Sequence, residues 1–279
     1  MKTLGKILLI VLLIGILLIG LAYAIGFNGG GQMGFENKFE MQTKELDVIE
    51  NSIELKANLQ VVSLDIQNSE SGKNEIMYPV FESDNNKVEI KQDGNRIELV
   101  ERHKKGLFRD IGINIGNFTP PKIVIKIAEN TLIDNLDINM NVGSLDIEGA
   151  AARNGNISMD VGSLNIDKGD FSNVNFEADT GSINLNYTRL NNCSIHTSVG
   201  SIKAGIYPKG AIKFSSDAGS VNVETLDKEI YSVYLSSDLG SIDYDGNNYK
   251  GEFEEKLRDC ETSIDMQTDI GSVSLKKMK

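Results

Sequence analysis

The chain has 279 residues, enough for one large or two small domains, and its core must be aliphatic because aromatics make up 6% and Trp is absent. The net charge is −12, and the residues beyond position 25 carry 26 basic against 40 acidic side chains. That balance argues against nucleic acid, whose binding needs a basic footprint, and against lying flat on anionic lipid.

Met1 to Lys6 is a short basic start, and Ile7 to Ile25 is a run of 19 uncharged, mostly apolar residues. As a helix this run spans about 28 Å, close to the hydrocarbon thickness of about 30 Å. The basic flank precedes it and no basic residue follows until Lys38. The expectation for residues 1–25 is therefore a single-pass anchor in the cell membrane, N-terminus cytoplasmic and C-terminal domain extracytoplasmic. Ala22-Tyr23-Ala24 also fits a signal-peptidase site, which leaves a removed signal as the alternative; the body is extracytoplasmic in either case. Residues 26–45, with Gly29-Gly30-Gly31, read as a flexible linker.

Residues 46–130 alternate well but keep no strict period, and they read as an irregular β cap region. Val61-Val62-Ser63-Leu64-Asp65-Ile66 is a degenerate copy of the repeat described below, with Val62 in the place of its Gly. Val88 to Leu99 reads as a hairpin turning at Asp93-Gly94. Ile123 to Ile127 is a further strand. Between them Glu101 to Phe118 holds a locally basic patch, Arg102, His103, Lys104, Lys105 and Arg109. It reads as a long loop, with contact to a partner or the membrane surface as the sharper alternative.

Residues 131–279 repeat one phrase seven times, apolar-x-Gly-Ser-apolar-x-apolar, with glycines at 143, 162, 181, 200, 219, 240 and 271. Four successive gaps are 19 residues; the last two are 21 and 31. Relative to Gly, apolar residues recur at −5, −1, +2 and +4 (Ile138, Val142, Leu145 and Ile147 in the first copy). Spacing by two is strand alternation. Across the Gly-Ser the spacing becomes three, so the chain is expected to bend at Gly143, Gly162, Gly181, Gly200, Gly219, Gly240 and Gly271 while keeping these columns inward. Gly suits such a corner because it adopts positive φ cheaply. Nineteen residues cannot build a core alone, so equal columns must stack. The fold expected is all-β, a single-stranded β-solenoid or β-roll with rungs of about 19 residues, two strands and a looser return each, preceded by one transmembrane helix. Lys276-Lys277-Met278-Lys279 would protect an open C-terminal edge.

Two residues before Gly stand Asn141, Asp160, Asp179, Ser198, Asp217, Asp238 and Asp269, and Ser follows Gly in every copy. By strand parity the Asp column faces outward. Turn chemistry explains it, since Asp and Ser side chains bond backbone N–H groups at bends. The functional alternative is a cation ladder on Asp160, Asp179, Asp217, Asp238 and Asp269, since stacked carboxylates repel unless neutralised. Of the two histidines, His103 and His196, the latter lies on an outward column. Cys193 and Cys260 are too few for a disulfide framework; a buried thiol at Cys193 and one bond between the two both fit. No nucleophile elbow, phosphate loop or metal-ligand cluster occurs, so the reading is not an enzyme, with no cofactor and no catalytic residue.

The stacked Gly-Ser-apolar-x-apolar units, led in by Pro121-Lys122-Ile123-Val124-Ile125-Lys126-Ile127, resemble the bacterial putative-adhesin family of β-strand-repeat proteins over roughly residues 46–279. That family is related to the toastrack domains of Lia-type envelope stress proteins, and the single span plus ectodomain is similar to the LiaG-like arrangement. The resemblance implies an extracytoplasmic β-solenoid without known catalysis, and no functional residues to carry over. It implies an accessory to cell-envelope stress sensing, partnered by a membrane stress-sensing protein. The alternative is a surface adhesin that binds glycan or cell-wall polymer.

Overall fold

The computed structural model describes residues 39–48, 51–82, 86–103, 121–227, 231–258 and 260–277. Every regular element among them is a strand. No helix among the described residues is long and apolar enough to cross a membrane, and the expected anchor, residues 7–25, lies outside them. Phe39–Glu45, placed in the linker by sequence, is a strand. The chain divides into two compact units. The smaller comprises Met1–Glu40, Val80–Lys87 and Arg102–Thr119, and in it the rings of Phe39 and Phe81 pack with centroids 5.9 Å apart. The larger comprises Met41–Pro79, Val88–Glu101 and Pro120–Lys279.

In the larger unit the rungs pair in parallel, each on the next. Gly155–Asp167 pairs with Leu132–Glu148 on one side and with Val174–Asn191 on the other, Gly against Gly and Ser against Ser at a constant offset of 19. Ser194–Lys209 follows in the same register. The return is more ordered than expected. Ala151–Ala152, Asp170–Ser172 and the last residues of Val174–Asn191 pair as a third short strand, which buries Ala152, Phe171 and Leu190.

At both ends the stacking order departs from the chain order. Ser52–Leu59 and Ser63–Asn68 form one rung that stacks on Leu132–Glu148, with Leu55 against Leu136 and Leu64 against Leu145. This places Val62 level with Gly143, as the degenerate copy implies. The outer side of that rung is covered by Arg96–His103 and Lys122–Ile127, which come later in the chain. At the other end Ser263–Ile270 and Val273–Lys276, the last rung in sequence, lie between the Gly219 rung and the Gly240 rung. Lys276 and Lys277 therefore do not border an open edge, and Lys279 lies outside the described residues. The outer rung is Ser232–Tyr244, and Asn247–Glu255 folds back on it antiparallel. Lys277 fastens this end. Its Nζ lies 3.3 Å from Glu255 Oε2 and about 5 Å from the rings of Tyr231 and Tyr244, while Tyr244 donates its hydroxyl to the same carboxylate. The Tyr244 hydrogen bond, helped by Lys277, holds the Glu255 carboxyl below its ordinary range.

The core is the set of stacked columns. Positions −5 and +2 are buried throughout, among them Ile138, Phe176 and Met266 at −5 and Leu145, Ile183 and Val273 at +2. Fully burying one such side chain stabilises by about 1.5–3 kcal/mol, and equal columns let each rung use its neighbours for it.

Two columns differ from expectation. Position −1 faces outward: Val142 and Leu239 are 39% and 40% exposed, and the residues between are half-buried. Position −3 is buried instead, and holds Met140, Met159, Ala178, Thr197, Ser216, Thr268 and Ser237 in stacking order. The bend thus falls between −3 and −1, and the inward spacing across it is five rather than three. Several of the buried hydroxyls complete the bend. Ser237 Oγ donates to Gly271 O at 2.9 Å and Thr268 Oγ1 to Gly219 O at 3.2 Å.

The glycine column has a stronger cause than the turn alone. Gly181 has φ 153°, and a Cβ built on it would sit 1.8 Å from Gly162 O. Neighbouring rungs touch through backbone at this level, so no side chain fits. Gly143, next to the Val62 rung, is looser: a Cβ there would meet Met140 Cε at 3.3 Å and Val62 O at 3.4 Å. That rung closes its corner differently. Glu101, 4% exposed, accepts the backbone N–H groups of Gln60, Val61 and Val62 on Oε2 at 2.6, 2.9 and 3.2 Å. Glu101 therefore belongs to the core of the stack and not to the basic loop in which the sequence placed it.

Candidate functional site

The flat face that follows each Gly-Ser carries outward side chains at +1, +3 and +5. Strand alternation and the 19-residue register put like on like, so the +3 column becomes a hydrogen-bonded ladder. Asn165 Nδ2 donates to Asp146 Oδ1 at 2.8 Å and Asn184 Nδ2 to Asn165 Oδ1 at 2.9 Å. At its end Lys122 Nζ lies 2.5 Å from Asp65 and 4.0 Å from Asp146. Burial pushes the Asp65 carboxyl up against the pull of that lysine.

The ladder ends at the next rung. Lys203 takes the +3 place, Ala204 the +4 place between Leu185 and Val223, and Gly205 the +5 place beside Glu224. The missing side chains leave a depression of about 300 Å³, walled by Asn186, Asn222, Glu224, Ser274 and Lys276. Ser274 and Lys276 reach it because the last rung pairs directly with the Gly219 rung. Lys276 Nζ lies 3.8 Å from Glu224 Oε1. Tyr187 stands at the rim, 59% exposed, with φ 49°. Its position, six after the corner Gly, is a second bend that Gly149 and Lys168 make with φ 70° and 55° in the two preceding rungs. The next rung lacks this bend, and the register slips by one residue between Leu185 and Thr188. The depression sits where rungs with and without the second bend meet. A bulky aromatic held at positive φ is uncommon and strained.

Toastrack DUF4097 is the family whose pattern matches residues 51–276 of this chain. The chain belongs to that family. No curated protein matches it. Solved structures similar to it include a putative cell adhesion protein from Clostridium sporogenes, 13% identical, covering 86% of this chain and 100% of its own, with a TM-score of 0.36. A putative adhesin from Bacteroides fragilis is 14% identical over 88% of this chain and 100% of its own, with a TM-score of 0.43. A putative adhesin from Parabacteroides distasonis is 8% identical over 87% and 98%, with a TM-score of 0.39. The toastrack resemblance read from the repeats is the family found.

Other residues singled out by sequence take these places in the toastrack stack. The Asp column is outward, and Asp217, Asp269 and Asp238 fall on consecutive rungs because the last rung is interposed. Among the described residues, however, no group of His, Cys, Asp and Glu is close enough to hold a metal ion. Partial burial, with the nearby Asp179 charge second, raises the Asp160 carboxyl. His196 joins an outward polar ladder, with Nδ1 3.0 Å from Ser215 Oγ and Nε2 3.5 Å from Ser198 Oγ. Asp217 Oδ1 approaches the same Nε2 at 4.0 Å, and its side chain is largely exposed. Cys193 is buried, with Sγ 3.5 Å from Phe171 O, and forms no bond to Cys260. Arg102 is exposed on Arg96–His103, whereas Lys104, Lys105 and Arg109 lie outside the described residues. The depression was not found by sequence, although Lys203-Ala204-Gly205 interrupting an Asn-apolar-polar column is a readable signal.

Proposed function

We propose that this toastrack chain is a non-catalytic interaction module, held at the cell membrane by residues 7–25 with its rungs on the extracytoplasmic side, and an accessory to cell-envelope stress sensing. The basic leader, the apolar run of 19 residues and the acidic remainder support that orientation. The observation that carries the binding role is a depression, with an exposed Tyr187 at its rim, at the rung where the polar ladder ends. A stack that served only as a spacer would have no need to end its ladder there. The same observation favours a second reading, a surface adhesin that contacts glycan or cell-wall polymer directly.

Crosslinking in the native membrane, with a tag at the C-terminus, separates the two. Recovery of a membrane stress-sensing protein, lost when residues 1–25 are replaced by a cleaved signal, is the result expected for the accessory. Recovery of wall polymer alone, with the soluble ectodomain still attaching to cells, would replace it with the adhesin.

A further inference from the structure

We propose that the depression at Lys203-Ala204-Gly205 is a binding site for an acidic saccharide unit. This rests on the reading of the chain as an interaction module and names the ligand class of that site. The first argument is Gly205. Corner glycines such as Gly181 are forced, because a Cβ there would strike a neighbouring backbone. Gly205 has no such need: its φ is ordinary, and a Cβ would meet nothing closer than Leu226 Cδ1 at 3.6 Å, which is normal contact. The fold would accept a side chain at this position, and its absence is what keeps the floor open.

The second argument is the chemistry around that floor. Rungs lie about 4.8 Å apart, so the four rungs from Asn186 to Lys276 span roughly 14 Å, room for a sugar ring and its neighbours in a chain. Asn186, Asn222 and Ser274 offer hydrogen-bond donors and acceptors suited to sugar hydroxyls. Tyr187 presents a ring that the neighbouring bends do not, and an exposed aromatic face covers the C–H face of a sugar at low entropic cost. Lys203 and Lys276 bring two cations against the one carboxylate of Glu224, in a chain whose net charge is −12. The depression is thus locally cationic and selects a sugar that carries a negative group. A neutral sugar would leave Lys203 without a counter-charge, and a small inorganic anion would use neither the amides nor the ring.

Saturation-transfer NMR on the full chain in detergent micelles tests this, with methyl glucuronide and methyl glucoside as probes. The expected result is transfer to the glucuronide ring protons at least fivefold above that to the glucoside. Gly205→Asn, which the geometry accepts and which fills the floor, should remove the transfer. Tyr187→Gly, the residue Gly149 supplies at the same bend, should reduce it at least fivefold, and Lys203→Asn should abolish the preference for the acid. Equal transfer in the parent chain and in Gly205→Asn would overturn the site. Binding of both probes without preference, lost in Gly205→Asn, would overturn the acidic class while leaving the module reading intact. No transfer to either probe would overturn the proposal, whereas the membrane crosslinking result would stand independently.

Discussion

The central rungs and the two ends of the larger unit are built from the same columns, yet they are assembled differently. From Gly143 to Gly219 each rung stacks on the one before it, at a constant offset of 19. At the ends it does not: Arg96–His103 with Lys122–Ile127 covers the earlier rung of Ser52–Asn68 from outside, and Ser263–Lys276 slips under the earlier Ser232–Tyr244. A central rung has two neighbours to satisfy its backbone, whereas an end rung has one and an edge that would recruit other strands. Antiparallel segments pair with both outer rungs, Asn247–Glu255 at one end and Glu75–Met77 at the other. The period dictates the shape of a rung, and the need to close an edge dictates its place.

The contrast can be broken most sharply at the corners. Gly181→Ala puts a Cβ 1.8 Å from Gly162 O in the centre of the stack and should cost about 3–5 kcal/mol. Gly143→Ala, at the boundary with the Val62 rung, meets nothing closer than 3.3 Å and should cost about 1–2 kcal/mol. Denaturant unfolding measures both, and equal losses would remove close backbone approach as the cause of the glycine column. Next in size is Glu101→Ala, which strips three N–H groups of their acceptor at the irregular end and should cost about 2–3 kcal/mol. A change below half a kcal/mol in the same assay would show that water replaces the carboxylate. Smallest is Thr197→Val. Its buried Oγ1 has no hydrogen-bond partner, unlike that of Ser237, so the exchange should be neutral or stabilise by up to about 1 kcal/mol. Loss of stability would mean that the hydroxyl does bond to the corner of its neighbour.

These particulars also explain what the sequence made legible. The columns at −5, +2 and +4 are apolar and buried, so alternation revealed them. The −3 column stayed hidden because Thr197, Ser216, Thr268 and Ser237 look like surface residues, although all four are buried and the hydroxyls of the last three bond to the neighbouring corner. The −1 column misled for the opposite reason, since Val142 and Leu239 are apolar yet exposed. Stacking order was not legible at the C-terminal end. The Gly240 and Gly271 rungs carry equivalent columns, and the Gly219 rung would accept either. The local hairpin of Ser232–Tyr244 with Asn247–Glu255 and the Lys277 contacts decide between them. The depression depends on that decision for Ser274 and Lys276, so its full outline could not be drawn from the chain alone.

The most direct test is therefore the position of the last rung. Ser220 and Ser272 face each other with hydroxyls 3.2 Å apart, on adjacent rungs. In a chain with Cys193→Ala and Cys260→Ser, Ser220→Cys with Ser272→Cys should close a disulfide on mild oxidation, read as a mobility shift without reductant. Ser220→Cys with Ser241→Cys should not, because two rungs separate those residues by about 9.6 Å, beyond the reach of a disulfide. Closure of the second pair and not the first would mean that the rungs follow chain order, and would take Ser274 and Lys276 out of the site.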